Sequence, residues 1–182
     1  MRTLRFVTTN PGKVAEAEEY LADVYDVERF DYDYTEIQSD DLAEIAARGA
    51  EDAFASQDSE VPVMVDDAGL FVRALDGFPG PYSSYVEDTL GVERVWQLCE
   101  DLENRRAAFR CVVAYADGDT TETFTGSVQG TMVAPRGEGG FGYDPIFEHD
   151  GETFAEIDTA EKNALSHRGR ALAKLADWLA EQ

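Results

Sequence analysis

Asp66 and Asp67 stand side by side after the apolar run of "VPVMVDDAGLF", residues 61–71. Adjacent carboxylates repel each other and resist desolvation, so the pair needs either water or a cation. A hard divalent ion answers that need: Mg²⁺ takes one or two carboxylates and completes its shell with water and substrate phosphates. Glu36, in "YTEIQSDDL", is the acid best placed by context to partner the Asp66-Asp67 pair. Such an ion would acidify a water and leave a nearby carboxylate to take the proton. The plainer alternative is a pair of solvated turn aspartates in a chain that is acidic throughout.

Three further stretches carry chemistry. In "TTNPGK", residues 8–13, a strand runs into a helix start, where unpaired backbone N–H groups suit a phosphate. Thr8, Thr9 and Asn10 add short polar side chains, Pro11 and Gly12 shape the turn, and Lys13 brings a charge. The G-x-x-x-x-G-K spacing of a Walker loop is absent, and a merely well-capped helix fits equally well. In "GGFGYDPIF", Phe141 and Tyr143 flank Gly142 and can offer ring faces to a planar ligand, with Asp144 beside them. The alternative there is a hairpin whose aromatics plug the core. In "EKNALSHRGRAL", Lys162, His167 and Arg168 gather near an apolar helical stripe, with His167 expected beside Trp178. A buried arginine wants a partner or a ligand. The alternative is that the helix begins only near Ser166, so that both side chains emerge at an exposed end.

These groups must be held by ordinary elements. Residues 4–9 read as a buried strand, followed by a helix with Asn10 as N-cap and Pro11 in its first turn. Residues 24–34 alternate as a half-exposed strand, and Leu42, Ile45, Ala46, Gly49 and Ala53 give helical spacing after Asp40 and Asp41. "VPVMV" is a strand that ends in a "DDAGL" turn before a second extended piece. Residues 76–82 form a rigid Gly/Pro loop, and Val92, Val95, Trp96, Cys99 and Leu102 mark an amphipathic helix. From Arg106 to Val133 long strands break at Asp117-Gly118, a hairpin signal. Residues 135–153 are Gly-rich and loop-like, and Leu165, Leu172, Leu175 and Leu179 line one face of a C-terminal helix. Mixed strands and helices without strict alternation indicate an α/β fold with a mixed, twisted sheet. With no repeat or linker, residues 1–182 read as a single domain.

Composition excludes several classes. A formal charge of −23 argues against nonspecific nucleic-acid binding. No apolar stretch is long enough to span a bilayer, and the expected N-terminus lacks a signal-peptide core, so a cytoplasmic protein without membrane contact is expected. Cys99 and Cys111 read as small buried hydrophobes of a reducing compartment. Three lysines against twelve arginines, on a dispersed acidic surface, look like adaptation to a salty cytoplasm. An ordinary acidic protein from a high-GC genome is the alternative.

Taken together, "TTNPGK", "EIQSDDL", "DDAGLFVRALDGFPGPYS", "FGYDPIF" and "EKNALSHRGRAL" closely resemble the HAM1-like inosine triphosphate pyrophosphatases, which act on noncanonical purine nucleotides. The resemblance runs from residue 3 to about residue 175. It implies an elongated α/β fold, with flanking helices forming two lobes around a central cleft. It also implies Mg²⁺-dependent hydrolysis of ITP, dITP and XTP to the monophosphate and pyrophosphate, one ion per subunit, and a homodimer. By motif, Thr8, Thr9, Asn10, Pro11, Gly12 and Lys13 hold phosphates, and Glu36 and Asp67 bind the metal. Asp67 also takes the proton of the attacking water, with Lys13 serving the leaving pyrophosphate. Phe141, Gly142, Tyr143, Asp144, Lys162, His167 and Arg168 hold the nucleotide and its base. Arg168 can only donate hydrogen bonds, which favours a base with an oxygen at C6 over adenine. Two departures stand out: Ala68 replaces a serine in the turn, and Ser84 a basic residue in "PYSSYV". A halophilic archaeal source is the expectation that the acidic composition adds. Rival readings are a related pyrophosphatase for other NTPs and a nucleotide-binding module that does not hydrolyse.

Overall fold

The computed structural model describes residues 2–182. In chain order the principal elements are β1 (Arg2–Val7), α1 (Pro11–Leu21), β2 (Tyr25–Phe30), α2 (Leu42–Ala55) and β3 (Val63–Val72). Then come β4 (Pro79–Gly80), α3 (Ser83–Leu90), α4 (Val92–Cys99), β5 (Arg106–Ala116) and β6 (Thr121–Met132). The last are β7 (Phe147–His149), β8 (Glu152–Thr153), α5 (Thr159–Leu165) and α6 (His167–Ala180). The sheet order is β2-β1-β3-β5-β6-β7-β8, with β4 paired to β3. β1 runs parallel to β2 and β3, while β3–β4, β6–β7 and β7–β8 are antiparallel. The sheet is therefore mixed, as expected, and six helices flank it among the described residues. None of those helices is long and apolar enough to cross a membrane.

The chain divides into two compact units. The first takes residues up to Asp67, Cys111–Gly126 and Arg168–Gln182; the second takes Ala68–Arg110 and Ser127–His167. In the first, Leu4, Phe6, Val63 and Met64 of the strands, Ile45 and Ala46 of α2, and Leu172 and Leu175 of α6 are buried. In the second, the core gathers Leu70, Val72, Val95, Cys99, Val128, Met132, Ile146, Phe147 and Phe154. Phe109 stacks on Phe154 with centroids 5.7 Å apart and tilts against Phe147 at 4.5 Å.

The expected Asn10 cap is present, and the acidic start read before α2 proves to hold a cap as well. Asn10 accepts from Gly12 N and Asp41 from Ala43 N, each satisfying an orphan donor of the first turn. The 117–120 loop does join β5 to β6, with Asp117 N donating to Thr120 O. Several expectations change. β3 does not end at Asp66 but continues through "DDAGLFV", so no turn exists there. Residues 31–34 lie outside β2. Residues 83–90, unassigned by pattern, form α3, and 135–153 contain two short strands besides loop. The C-terminal helix is two helices, broken at Ser166 with extended backbone (φ −68°, ψ 155°).

Candidate functional site

Asp66 is the electrostatic centre of the first unit. Its side chain is 2% exposed, yet it lies mid-strand because two cations reach it. Lys13 Nζ, from the first turn of α1, donates to Oδ1 at 2.9 Å. Arg168 Nε, from the start of α6, donates to Oδ2 at 2.7 Å, and its Nη1 reaches the buried Glu16 at 3.4 Å. Burial would raise the Asp66 carboxyl, but Lys13 and Arg168 override it and hold it well below the usual carboxylate range. The sequence offered a metal as the answer to the paired carboxylates. In the structure two side chains already serve Asp66.

Around Asp67 the chemistry is anionic. Tyr34 is half-buried, and its hydroxyl pKa is pushed up by burial, then by Glu36, Asp67 and Asp66. That places the fields of all three carboxylates on one phenol. Glu36 itself is exposed, in a segment without regular structure. No group of three or more His, Cys, Asp or Glu stands ready to hold a metal among the described residues. Glu36 and Asp67 are carboxylates, the donor type that a small hard cation takes when waters and substrate phosphates complete its shell.

The phosphate-loop candidates sit at the surface. Thr9, Asn10, Pro11 and Gly12 are exposed. Two of their amides are satisfied internally, Asn10 N by Thr8 Oγ1 at 3.1 Å and Gly12 N by Asn10 Oδ1 at 2.9 Å.

The second unit holds another cluster. Phe141 is 63% exposed, with Lys162 Nζ 4.2 Å from its ring centroid, a cation–π contact. Lys162 also donates to Asp144 Oδ2, which accepts from Phe141 N at 2.8 Å. Asp144 thereby ties the lysine and the exposed ring into one platform. Gly140 and Gly142 adopt positive φ (68° and 60°), and a Cβ on Gly140 would run into Asp144. Tyr143 behaves differently: it is buried, and its hydroxyl donates to Ser83 O at 2.6 Å. One aromatic of the motif plugs the core while the other faces solvent. Ala68, at the edge of this unit, contributes no hydroxyl.

His167 and Arg168 do begin a helix after Ser166, but both are buried rather than exposed. His167 stacks on Phe109 (5.0 Å, 14°), not on Trp178, which packs against Tyr115 and Phe124. Arg168, expected as a donor to a base oxygen, is engaged by Asp66 and Glu16. The pattern reading missed Glu16, Tyr34 and Ser83. Glu16 carried a signal, lying one helical turn after Lys13. Ser83, whose hydroxyl donates to Gly80 O and accepts from Leu70 N, carried none.

Residues 4–178 match the model of the Ham1 family. Over 178 residues the chain is 51% identical to the dITP/XTP pyrophosphatase of Methanopyrus kandleri, covering 95% of this chain and 94% of that one. The dITP/XTP pyrophosphatase of Thermococcus kodakarensis is 49% identical over 182 residues, at 98% and 97% coverage. Among solved structures, a HAM1 protein from Coxiella burnetii superposes with a TM-score of 0.88 at 32% identity, covering 100% of both chains. The Staphylococcus aureus Ham1 protein gives the same TM-score at 31% identity and 99% coverage of each.

Proposed function

Because the chain belongs to the Ham1 family, we propose that it hydrolyses dITP, ITP and XTP to the nucleoside monophosphate and pyrophosphate, cleaning the nucleotide pool. The observation that carries this reading is the arrangement on β3. Asp66 binds Lys13 and Arg168, and Asp67 follows it on the same strand. A cationic group thus adjoins a carboxylate that can accept a proton.

The roles follow from this chemistry. Thr8, Thr9, Asn10, Pro11, Gly12 and Lys13 receive the phosphates, with Lys13, whose side chain is 25% exposed, serving the departing pyrophosphate. Asp67 orients a water toward the α-phosphorus and accepts its proton as the phosphorus–oxygen bond to pyrophosphate breaks. Glu36 and Asp67 hold a divalent ion, which we take to be Mg²⁺, one per subunit. When bound, that ion supplies positive charge against the triphosphate oxygens. Phe141, Gly142 and Asp144, with Lys162 and His167, receive the nucleoside, the exposed Phe141 ring offering a stacking face, while Tyr143, expected there too, stays in the core. Arg168 we assign to Asp66, since its Nε is committed there. We further propose a cytoplasmic homodimer with a surface adapted to high salt, on the family resemblance and the charge of −23.

The test is pyrophosphate release from ITP, dITP, XTP and ATP with Mg²⁺. The three unusual purine nucleotides should outrun ATP; equal rates on all four would overturn the substrate reading. Asp67→Asn should lower turnover by about 100-fold or more with the fold intact, the usual scale for losing a general base. Near wild-type turnover in that variant would remove Asp67 from its role.

A further inference from the structure

We propose that Tyr34 is a positioning residue: seated on the bare Cα of Gly49, it fixes the irregular segment before α2 so that Glu36 stands by Asp67. The inference rests on the reading of Glu36 and Asp67 as the ion-holding pair.

Residues 31–39 have no helix or strand to hold them. Two tyrosines pin them instead. Tyr32 Oη donates to Asp52 Oδ2 at 3.0 Å, and its ring stacks on Phe30 with centroids 5.7 Å apart. The Tyr34 ring lies against Gly49, where an added Cβ would come 2.5 Å from Cε2, 2.7 Å from Cζ and 3.1 Å from Oη. Gly49 and Asp52 are three residues apart in α2, so both pins use the same face of that helix.

Gly49 has a specific reason to be glycine. It is buried inside α2, and its backbone does not require positive φ. Glycine in a helix interior is about 1 kcal/mol worse than alanine, so backbone propensity argues against it. What it supplies is room for the Tyr34 ring. Two residues beyond that seat the chain presents Glu36. The ring is thus the last fixed point before the carboxylate, and displacing it displaces Glu36.

The test compares four variants of the full chain: Gly49→Ala, Tyr34→Ala, Tyr34→Phe and Glu36→Gln. Three readouts are taken: Mn²⁺ binding by electron paramagnetic resonance with pyrophosphate present, the Mg²⁺ concentration for half-maximal ITP turnover, and Tm. Gly49→Ala and Tyr34→Ala should each raise the half-saturating metal concentration by about tenfold, the scale for losing support behind a ligand. Turnover should recover toward wild type at high Mg²⁺. Tyr34→Phe keeps the seated ring and should keep wild-type metal dependence. A lowered Tm with unchanged metal binding in the first two variants would make the contact merely structural and overturn the inference. So would a loss in Tyr34→Phe as large as in Tyr34→Ala. Wild-type metal binding in Glu36→Gln would instead overturn the reading of the site on which the inference stands.

Discussion

Asp66 is ionised in a place where burial opposes ionisation, and the reason is the pair of cations on its two oxygens. Its folded pKa is depressed below the unfolded value of about 3.9. The stability it contributes is therefore full above that value and is lost as pH falls toward the folded pKa. Removing one partner of a buried ion pair costs about 3–5 kcal/mol, because the charges left behind stay desolvated. Asp66→Asn should be destabilised on that scale at neutral pH, with Arg168 only 9% exposed and Glu16 its remaining carboxylate. The gap from wild type should narrow below about pH 4, where the unfolded chain gains the proton first. Denaturant unfolding across pH measures this; a gap constant from pH 7 to pH 3 would mean that charge is not what Asp66 contributes. At this scale the anomaly was legible in the sequence and its resolution was not. Two adjacent aspartates announce that something unusual holds them. The holders lie 53 and 102 residues away, and no local pattern points to them.

Elements show the same division between local and distant causes. The starts of α1 and α2 were readable because Asn10 and Asp41 satisfy amides two residues on, a purely local bond. The turn expected at "DDAGL" was misread because Asp and Gly favour turns when nothing else competes. Here β3 runs on through Asp66, which Lys13 and Arg168 bind, and Gly69 admits a close neighbour. A Cβ on Gly69 would strike the carbonyl of Gly80 in β4 and lie 3.2 Å from Ser83 Oγ. The obstacle is backbone, which cannot swing aside. Gly69→Ala should therefore cost about 1–3 kcal/mol, the scale of overpacking, read as a lower denaturant midpoint with unchanged slope. Wild-type stability would mean that β3 and β4 can part without penalty. α3 escaped notice because "SSYVEDTL" has little helix propensity; Ser83, bonded to Gly80 O and Leu70 N, anchors its start instead. The C-terminal stripe was readable, but the break at Ser166 was not. It moves Leu165 into α5 and starts α6 with two buried polar residues.

For the whole molecule the dominant quantity is charge. A net −23 on 182 residues means that dilute buffer leaves the folded chain under its own repulsion. The Debye length falls from about 10 Å at 0.1 M salt to 3 Å at 1 M, which removes most of that strain. Tm should rise with KCl into the molar range, and a flat or falling Tm would reject salt adaptation while leaving the enzyme reading intact. The two compact units also differ in a way that chemistry can address. Cys99 belongs to the second and Cys111 to the first, and neither side chain reaches solvent. Burial pushes both thiols above their ordinary pKa, so thiolate is scarce as well as hidden. Each unit therefore carries its own silent reporter, unreactive toward an alkylating reagent until that part of the chain opens. The two alkylation rates become two clocks, and whether they keep the same time tells whether the halves of this chain come apart together or in turn.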